Sequence, residues 1–293
     1  MLVNWIDVNW VGKEKGDTPG HRACRFGHPE IVKVLLAHPA IEVNKGNKGG
    51  ANPISLACQE GHMEVVSLLL ADLRVDPNKV DKVGTPPLIF GCVIGHKEVV
   101  SLLLADPRID PNKPQKDQAS PLWHASQNGH FMVVQHLLAS GREIDTRKRS
   151  TFNNTTAAEH ARRMTTAPMQ TYEGDADPPR RAANCPLCAV LIDEFESDPV
   201  TVRHRLRRQP GLREYFIGHL FALVVFHSDS FAIINERTAH SYARRFFRIT
   251  SQLPLDLQMV LCNRIFGSPR DIILSRDSEP AFQLLTRTTT WQQ

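Results

Sequence analysis

A Gly-His pair recurs through the first half of the chain, at Gly27-His28, Gly61-His62, Gly95-His96 and Gly129-His130, each glycine 34 residues after the last. A proline eight residues upstream keeps the same step, at Pro19, Pro53, Pro87 and Pro121. Between these anchors lie Ala23-Cys24, Ala57-Cys58, Gly91-Cys92 and Ala125-Ser126. Downstream come Ile31-Val32, Val65-Val66, Val99-Val100 and Val133-Val134, each followed by a Leu-Leu pair. A period held four times without a gap restricts the chain to a repeat architecture. One such unit cannot bury its own apolar face and must stack on its neighbours.

Within a unit, local signals define two short helices. Thr18, Asn52 or Ser120 caps the first helix, and the proline that follows takes the first helical position, where a missing N–H costs nothing. In the third unit Pro86 stands at the cap and has no side chain to bond with. The glycine ends this helix in a left-handed turn. The second helix carries a wide apolar face, as Val99, Val100, Leu102, Leu103 and Leu104 show. The connectors read Asp76-Pro77-Asn78-Lys79 and Asp110-Pro111-Asn112-Lys113, with Asn44-Lys45 a partial copy. They are turn sequences, because proline fixes φ and Asp or Asn bonds its own backbone. A T-P-x-x-x-A segment entering one helix and G-H entering another, at this period, resembles the ankyrin repeat. The resemblance covers residues up to about 163. It implies projecting hairpin fingers, and a partner protein met by the finger tips and the exposed face of the first helices.

The ends of the array are irregular. Ile6-Asp7-Val8-Asn9 aligns with Ile109-Asp110-Pro111-Asn112, yet five residues precede Ile6 and supply no polar capping unit. Either Trp5 and Trp10 cover this end, or the array is a truncated form of a longer one. At the other end Thr156-Ala157 and Ala161 echo Thr18-Pro19 and Ala23 without a Gly-His pair, and this degenerate fifth unit closes the array. Pro168, Gly174, Pro178 and Pro179 mark 164–184 as a linker. Beyond it the period is lost. Helical spacing (Val190, Leu191, Phe195), a helix from Asp198-Pro199 to about Arg208, an apolar helix over 211–226, and further helices near 241–250, 255–266 and 281–285 make a separate domain. The expected fold is therefore all-α: an ankyrin-type solenoid over 1–163, then an all-helical domain over 185–293.

The formal net charge of +4 argues neither for nor against nucleic acid, and no motif calls for it. No charged-then-apolar leader is present. The longest apolar run, 216–226, is broken by Gly218 and His219 and falls well short of the roughly 20 residues of a membrane span. These features predict a cytoplasmic or nuclear protein with no membrane contact. Cys24, Cys58 and Cys92 share one repeat position, and helices stack roughly 8–10 Å apart. That exceeds the roughly 7 Å reach of a disulfide, so they read as reduced core thiols.

Four histidines at a fixed period cannot share a zinc ion, whose bonds to nitrogen are about 2 Å. They read as turn residues that bond loop backbone. Cys185-Pro186-Leu187-Cys188 is a lone CxxC: His204 and His219 do not fit a finger spacing and Cys262 is distant, so it reads as a packing element, with no metal and no cofactor. Arg203-His204-Arg205-Leu206-Arg207-Arg208 reads as a solvated helix face with Val202 and Leu206 inward, the functional alternative being a localisation or anion-binding patch. With no phosphate loop, nucleophile–base pair or paired carboxylates, the chain reads as a non-enzyme.

Two surface features carry the functional expectation. Mapped by repeat position, the exposed first-helix residues of the third unit are Phe90, Val93 and Ile94, beside Trp123, His124 and Gln127 of the fourth. A contiguous apolar patch marks a binding site, unless the C-terminal domain folds over it. The second feature is a basic column: Lys45, Lys79, Lys113 and Arg147, and alongside it Lys48, Lys82 and Lys116. Spaced by about a Debye length, these charges repel one another little and would attract a protein with an acidic surface, the alternative being solubilising lysines on exposed hairpins.

At the C-terminal end, Leu253-Pro254-Leu255-Asp256-Leu257, then Val260, Ile265-Phe266, Ser268-Pro269-Arg270-Asp271-Ile272-Ile273, Phe282, Leu285 and Trp291 resemble an F-box, with its opening L-P-x-E-L helix and closing tryptophan. Poxviral ankyrin proteins carry a similar truncated F-box over some forty residues at their C-terminus. Asn263-Arg264 and Thr288-Thr289-Thr290 depart from the pattern. The expected function is a protein–protein interaction scaffold. The alternative is a substrate adaptor of a cullin-type ubiquitin ligase docking through 250–293, which requires Leu253, Leu257 and Val260 to face solvent.

Overall fold

Every repeat starts where a polar residue meets proline. In the computed structural model, which describes residues 7–164, 178–228 and 255–266 together with Thr250 and Leu253, the Thr18, Asn52 and Ser120 side chains accept from the backbone N–H three residues on. The proline that follows occupies the first turn of α1 (Pro19–Arg25), α3 (Pro53–Glu60) and α7 (Pro121–Gln127). In α5 (Pro87–Ile94) Pro86 provides no side-chain cap. The partner helices are α2 (Pro29–Ala37), α4 (Met63–Ala71), α6 (Lys97–Ala105) and α8 (Phe131–Ala139). First helices stack on first helices, and α2, α4, α6 and α8 form a second layer. Among the described residues the chain is all helix, with no strand.

The core between the layers is small and regular. Cys24, Cys58 and Cys92 are buried, as are Val32, Val66, Val100 and Val134. Burial pushes the Cys24 thiol up to about 12 and the other two higher still, so all three stay protonated.

Between repeats, the contacts are polar and as periodic as the sequence. His62 Nε2 donates to the Arg25 carbonyl (2.9 Å), His96 Nε2 to Gln59 (3.0 Å) and His130 Nε2 to Val93 (2.8 Å). In each case the acceptor lies two residues before the preceding repeat's turn glycine. Gly27, Gly61 and Gly95 have φ of +69°, +79° and +95°. A Cβ on any of them would come within 2.5–2.7 Å of the next repeat's imidazole. Glycine is thus required twice, for the left-handed turn and for the ring that rests on it.

A second ladder runs through the connectors. Asn9, Asn44, Asn78 and Asn112 each donate through Nδ2 to the next repeat (Ala40, Arg74, Arg108 and Glu143 carbonyls, 2.6–2.7 Å). Each also accepts there from the N–H of Glu42, Asp76, Asp110 or Asp145. The expected local role belongs to the aspartates: Asp76 and Asp110 accept from the N–H two residues on, while the asparagines reach across. A third ladder is arginine. Arg74 donates to Leu36, Arg108 to Leu70 and Arg142 to Leu104, closing orphan carbonyls at the ends of α2, α4 and α6.

The array closes differently from expectation. The fifth unit begins with α9 (Ala157–Arg163), where Thr156 and Glu159 form a capping box. Residues 165–177 of the expected linker lie outside the described residues, but 178–184 are helical: they open α10 (Pro178–Ser197). Pro178 and Pro179 sit in its first turn, where proline is compatible with a helix, so the signal read as a linker is a helix start. α10 packs on α9, α8 and α7. Arg162 pairs with Asp193 across the α9–α10 contact. Leu191, Ile192 and Phe195 are buried. Accordingly the first compact unit is Met1–Val202 rather than 1–163, and the second is Arg203–Gln293. The division falls within α11 (Pro199–Arg207), which Asp198 caps by accepting from the Thr201 N–H.

In the second unit, α12 (Leu212–Ser228) packs on α13 (Leu255–Ile265) around Ile217, Phe221, Val224 and Cys262. The Arg207 guanidinium lies 4.7 Å from the Phe216 ring centre. Of the helices expected over 241–250 and 281–285, all residues but Thr250 lie outside the described residues. No described helix is long and apolar enough to cross a membrane.

Two outcomes follow from this packing. Gly61→Ala should destabilise the array by at least about 2 kcal/mol in urea unfolding, because it combines a left-handed backbone with a clash against His96. His136, on α8, is 7 % exposed and burial lowers its pKa from 6.5 to about 4. The unfolded chain therefore binds the extra proton first as pH falls. Stability contributed by neutral His136 is complete above pH 6.5 and is lost between pH 6.5 and about 4, a change on the order of 3 kcal/mol. Urea midpoints measured across this window should fall with pH, and His136→Gln should flatten the slope.

Candidate interaction surface

In the third repeat Phe90, Val93 and Ile94 are the residues of the first helix that are not buried. The outermost of these positions carries Phe26, Glu60, Ile94 and Asn128 in the four repeats. Phe26 is 58 % exposed and Ile94 49 %, so two apolar side chains stand open at one face, two repeats apart. Phe90 and Val93 are half-buried. The carbonyl of Val93 is already occupied by His130 and by Asn128 Nδ2 (3.1 Å).

The fourth-repeat part of the expected patch is not open. Trp123 is 3 % exposed. Its indole N–H donates to Thr155 Oγ1 (3.3 Å) and its ring stacks on His160, 4.3 Å between centres and 19° between planes. The cause is α9, which packs over α7. A sequence signal for this existed: Trp123 shares its repeat position with His21, Ser55 and Ile89, all buried. His124 is half-buried, its Nε2 is enclosed with no hydrogen-bond partner, and burial lowers its pKa to about 4. Gln127 is half-buried, and its carbonyl accepts from Cys185 Sγ (3.4 Å) on α10. Cys185 and Cys188 are both buried in α10, with the Cys188 thiol pushed up to about 12. Among the described residues no three His, Cys, Asp or Glu side chains converge to hold a metal.

The lysine columns divide as well. Lys113 Nζ donates to the Asn78 carbonyl (2.8 Å), Lys48 Nζ to Lys13 (2.6 Å) and Lys116 Nζ to Lys82. The stems of Lys48, Lys82 and Lys116 also pack on finger glycines: a Cβ on Gly16, Gly50 or Gly84 would meet the Cγ of Lys48, Lys82 or Lys116 at 2.7–3.0 Å. Thus Lys113 and Lys116 clamp one finger to the previous one, which explains their period without a partner. Lys45 pairs with Glu42 (3.1 Å). Lys79 and Lys82 are exposed. The residues that hold the array across repeats, Asn44, Asn78, Asn112, Arg74, Arg108 and Arg142, were not among the expected site residues. Their spacing of 34 marks them as clearly as it marks the histidines.

Helix pairs in two layers, turn glycines covered by the next repeat's histidine, and fingers joined by asparagine define a repeat solenoid of the ankyrin type. A family model described as "Ankyrin repeats (3 copies)" matches residues 1–81 and 71–148, half of the chain. The chain belongs to the ankyrin-repeat family. It is also similar to the mouse (Mus musculus) "Ankyrin repeat and LEM domain-containing protein 2", 46 % identical over 50 residues. That stretch is 17 % of this chain and 5 % of the relative, so the match spans one-twentieth of the relative's length.

The division of the lysines gives an expected outcome. Lys113→Glu should lower stability by about 1 kcal/mol or more, having removed an inter-repeat hydrogen bond. Lys79→Glu should stay within about 0.5 kcal/mol of the parent, as an exposed substitution does. Thermal melts of the two variants, side by side, check this.

Proposed function

We propose that this chain is a non-enzymatic scaffold that captures a partner protein on its first-helix and finger face, anchored at Ile94 and Phe26 and flanked by Lys79 and Lys82. The observation that carries this reading is the exposure of Ile94 and Phe26 at a position where the intervening repeat has Glu60. Burying such a side chain is worth roughly 1.5–3 kcal/mol, and interface energy concentrates in a few anchors of this kind. Phe90 and Val93 form the half-buried floor beside Ile94. Lys79 and Lys82 favour a partner with acidic groups beside an apolar knob.

The test compares affinity capture by the full chain and by two variants, Ile94→Glu and Lys79→Glu/Lys82→Glu. A partner retained by the parent should lose at least tenfold in affinity to Ile94→Glu, with the melting temperature unchanged. The lysine pair should weaken the same partner and flatten its salt dependence. Equal binding by all three proteins would remove this face from the function.

The adaptor reading rests on α13, which leaves Leu255 55 %, Leu257 46 % and Ile265 41 % exposed; of the three residues it needs open, Leu257 is exposed while Leu253 and Val260 are half-buried. It places ligase docking on that helix. Leu257→Asp should then abolish co-purification with a cullin-type ligase and leave capture by the repeat face intact.

A further inference from the structure

Each repeat of this array presents a leading side to the repeat before it, and three of these interfaces are complete. At the leading position of the second helix, Val65, Val99 and Val133 are each 1 % exposed. The equivalent residue of the first repeat, Ile31, is 50 % exposed. Val34 is 73 % exposed where Leu68 is half-buried and Leu102 and His136 are 7 %, and Leu35 is half-buried where Leu69, Leu103 and Leu137 are at most 2 %. The polar half of the interface is open too. His62, His96 and His130 each donate to the previous repeat, whereas the His28 imidazole is exposed and has no partner among the described residues. One piece of a preceding unit is in place: Asn9 makes the same two bonds to Ala40 and Glu42 that Asn44 makes to Arg74 and Asp76.

We infer that Ile31, Val34, Leu35 and His28 form a docking face for the helix pair of one further ankyrin-type repeat. This goes beyond the proposed partner face, because it lies on the leading side of the stack. The occupant is specified by what covers the same positions three times over in this molecule. It must bring a left-handed glycine on which the His28 ring can rest, a backbone carbonyl two residues before that glycine, and apolar second-helix side chains for Ile31 and Leu35. A second copy of the chain does not meet this description. Two leading faces set against each other offer no glycine turn to either imidazole, and the trailing side of the fourth repeat is already covered by α9 and α10.

The test supplies the occupant from the protein itself. Residues 85–108, the helix pair of the third repeat with Gly95 and the Val93 carbonyl, are fused ahead of Ile6 in the full chain in place of residues 1–5. The fused protein should melt about 4 °C or more above the parent. Ile31→Lys should remove that gain in the fusion and leave the unfused chain unchanged, and His28→Ala should lower the fusion alone. An unchanged melting temperature on fusion would overturn the inference. So would equal destabilisation of fused and unfused chains by Ile31→Lys, which would mean the face is already covered. Sedimentation of the unfused chain as a dimer that Ile31→Lys dissociates would also overturn it, assigning the face to self-association instead.

Discussion

The hydrogen bond from one repeat's imidazole to the preceding repeat's helix end is the contact on which the array depends. Helices of seven to nine residues leave about half of their carbonyls without an intrahelical partner. Stacking removes water from many of them, and an unpaired buried carbonyl costs about 1–3 kcal/mol. The next repeat therefore supplies donors: histidine to a carbonyl at the end of the first helix, arginine to one at the end of the second, asparagine and lysine at the finger. Each bond adds a modest net amount, but leaving any one unmade is expensive. That asymmetry explains why donors recur with the same period as the apolar residues.

It also separates structural from free residues. Several charged side chains that keep the period are bonded across the interface, as Lys113, Lys116 and Arg108 are, whereas Lys79 and Lys82 keep the same period and stay exposed. A side chain that changes from repeat to repeat at one position, as Phe26, Glu60 and Ile94 do, is under no such demand, although Asn128 at the same position bonds the Val93 carbonyl. Variation at a fixed scaffold position is what a recognition surface needs, and the candidate partner face lies there. The closing helices limit that face: α9 packs over α7 and α10 over α9, so the array ends in its own cover.

Much of this was legible from spacing alone. The helix pairs, their proline starts, the glycine turns and the reduced cysteines all follow from side chains acting within one unit or at a fixed step. The candidate site was legible in part. Ile94 stands where the repeat mapping puts it, and Phe90 and Val93 sit deeper. Trp123 was misplaced because an apolar residue next to an apolar patch reads as its continuation, although its repeat equivalents His21, Ser55 and Ile89 are all inward. The lysines read as surface charge because charge is visible in a sequence, while the carbonyl that each one meets belongs to a connector some 34 residues away.

By itself the sequence determined the repeat, its period, the layer each helix joins and the residue types that recur, since these depend on local propensity and on translation by one constant step. Only the tertiary structure decided where the period stops having its usual meaning. The proline pair at 178–179 is compatible equally with a linker and with a helix start, and the choice fell to apolar burial of Leu191, Ile192 and Phe195 in α10. The leading face of the first repeat is decided the same way: Ile31 is as apolar as Val65, and what distinguishes them is that, among the described residues, Val65 is covered by a preceding repeat and Ile31 is not. Burial is a property of the pair in contact, and a sequence lists only one member of it at a time.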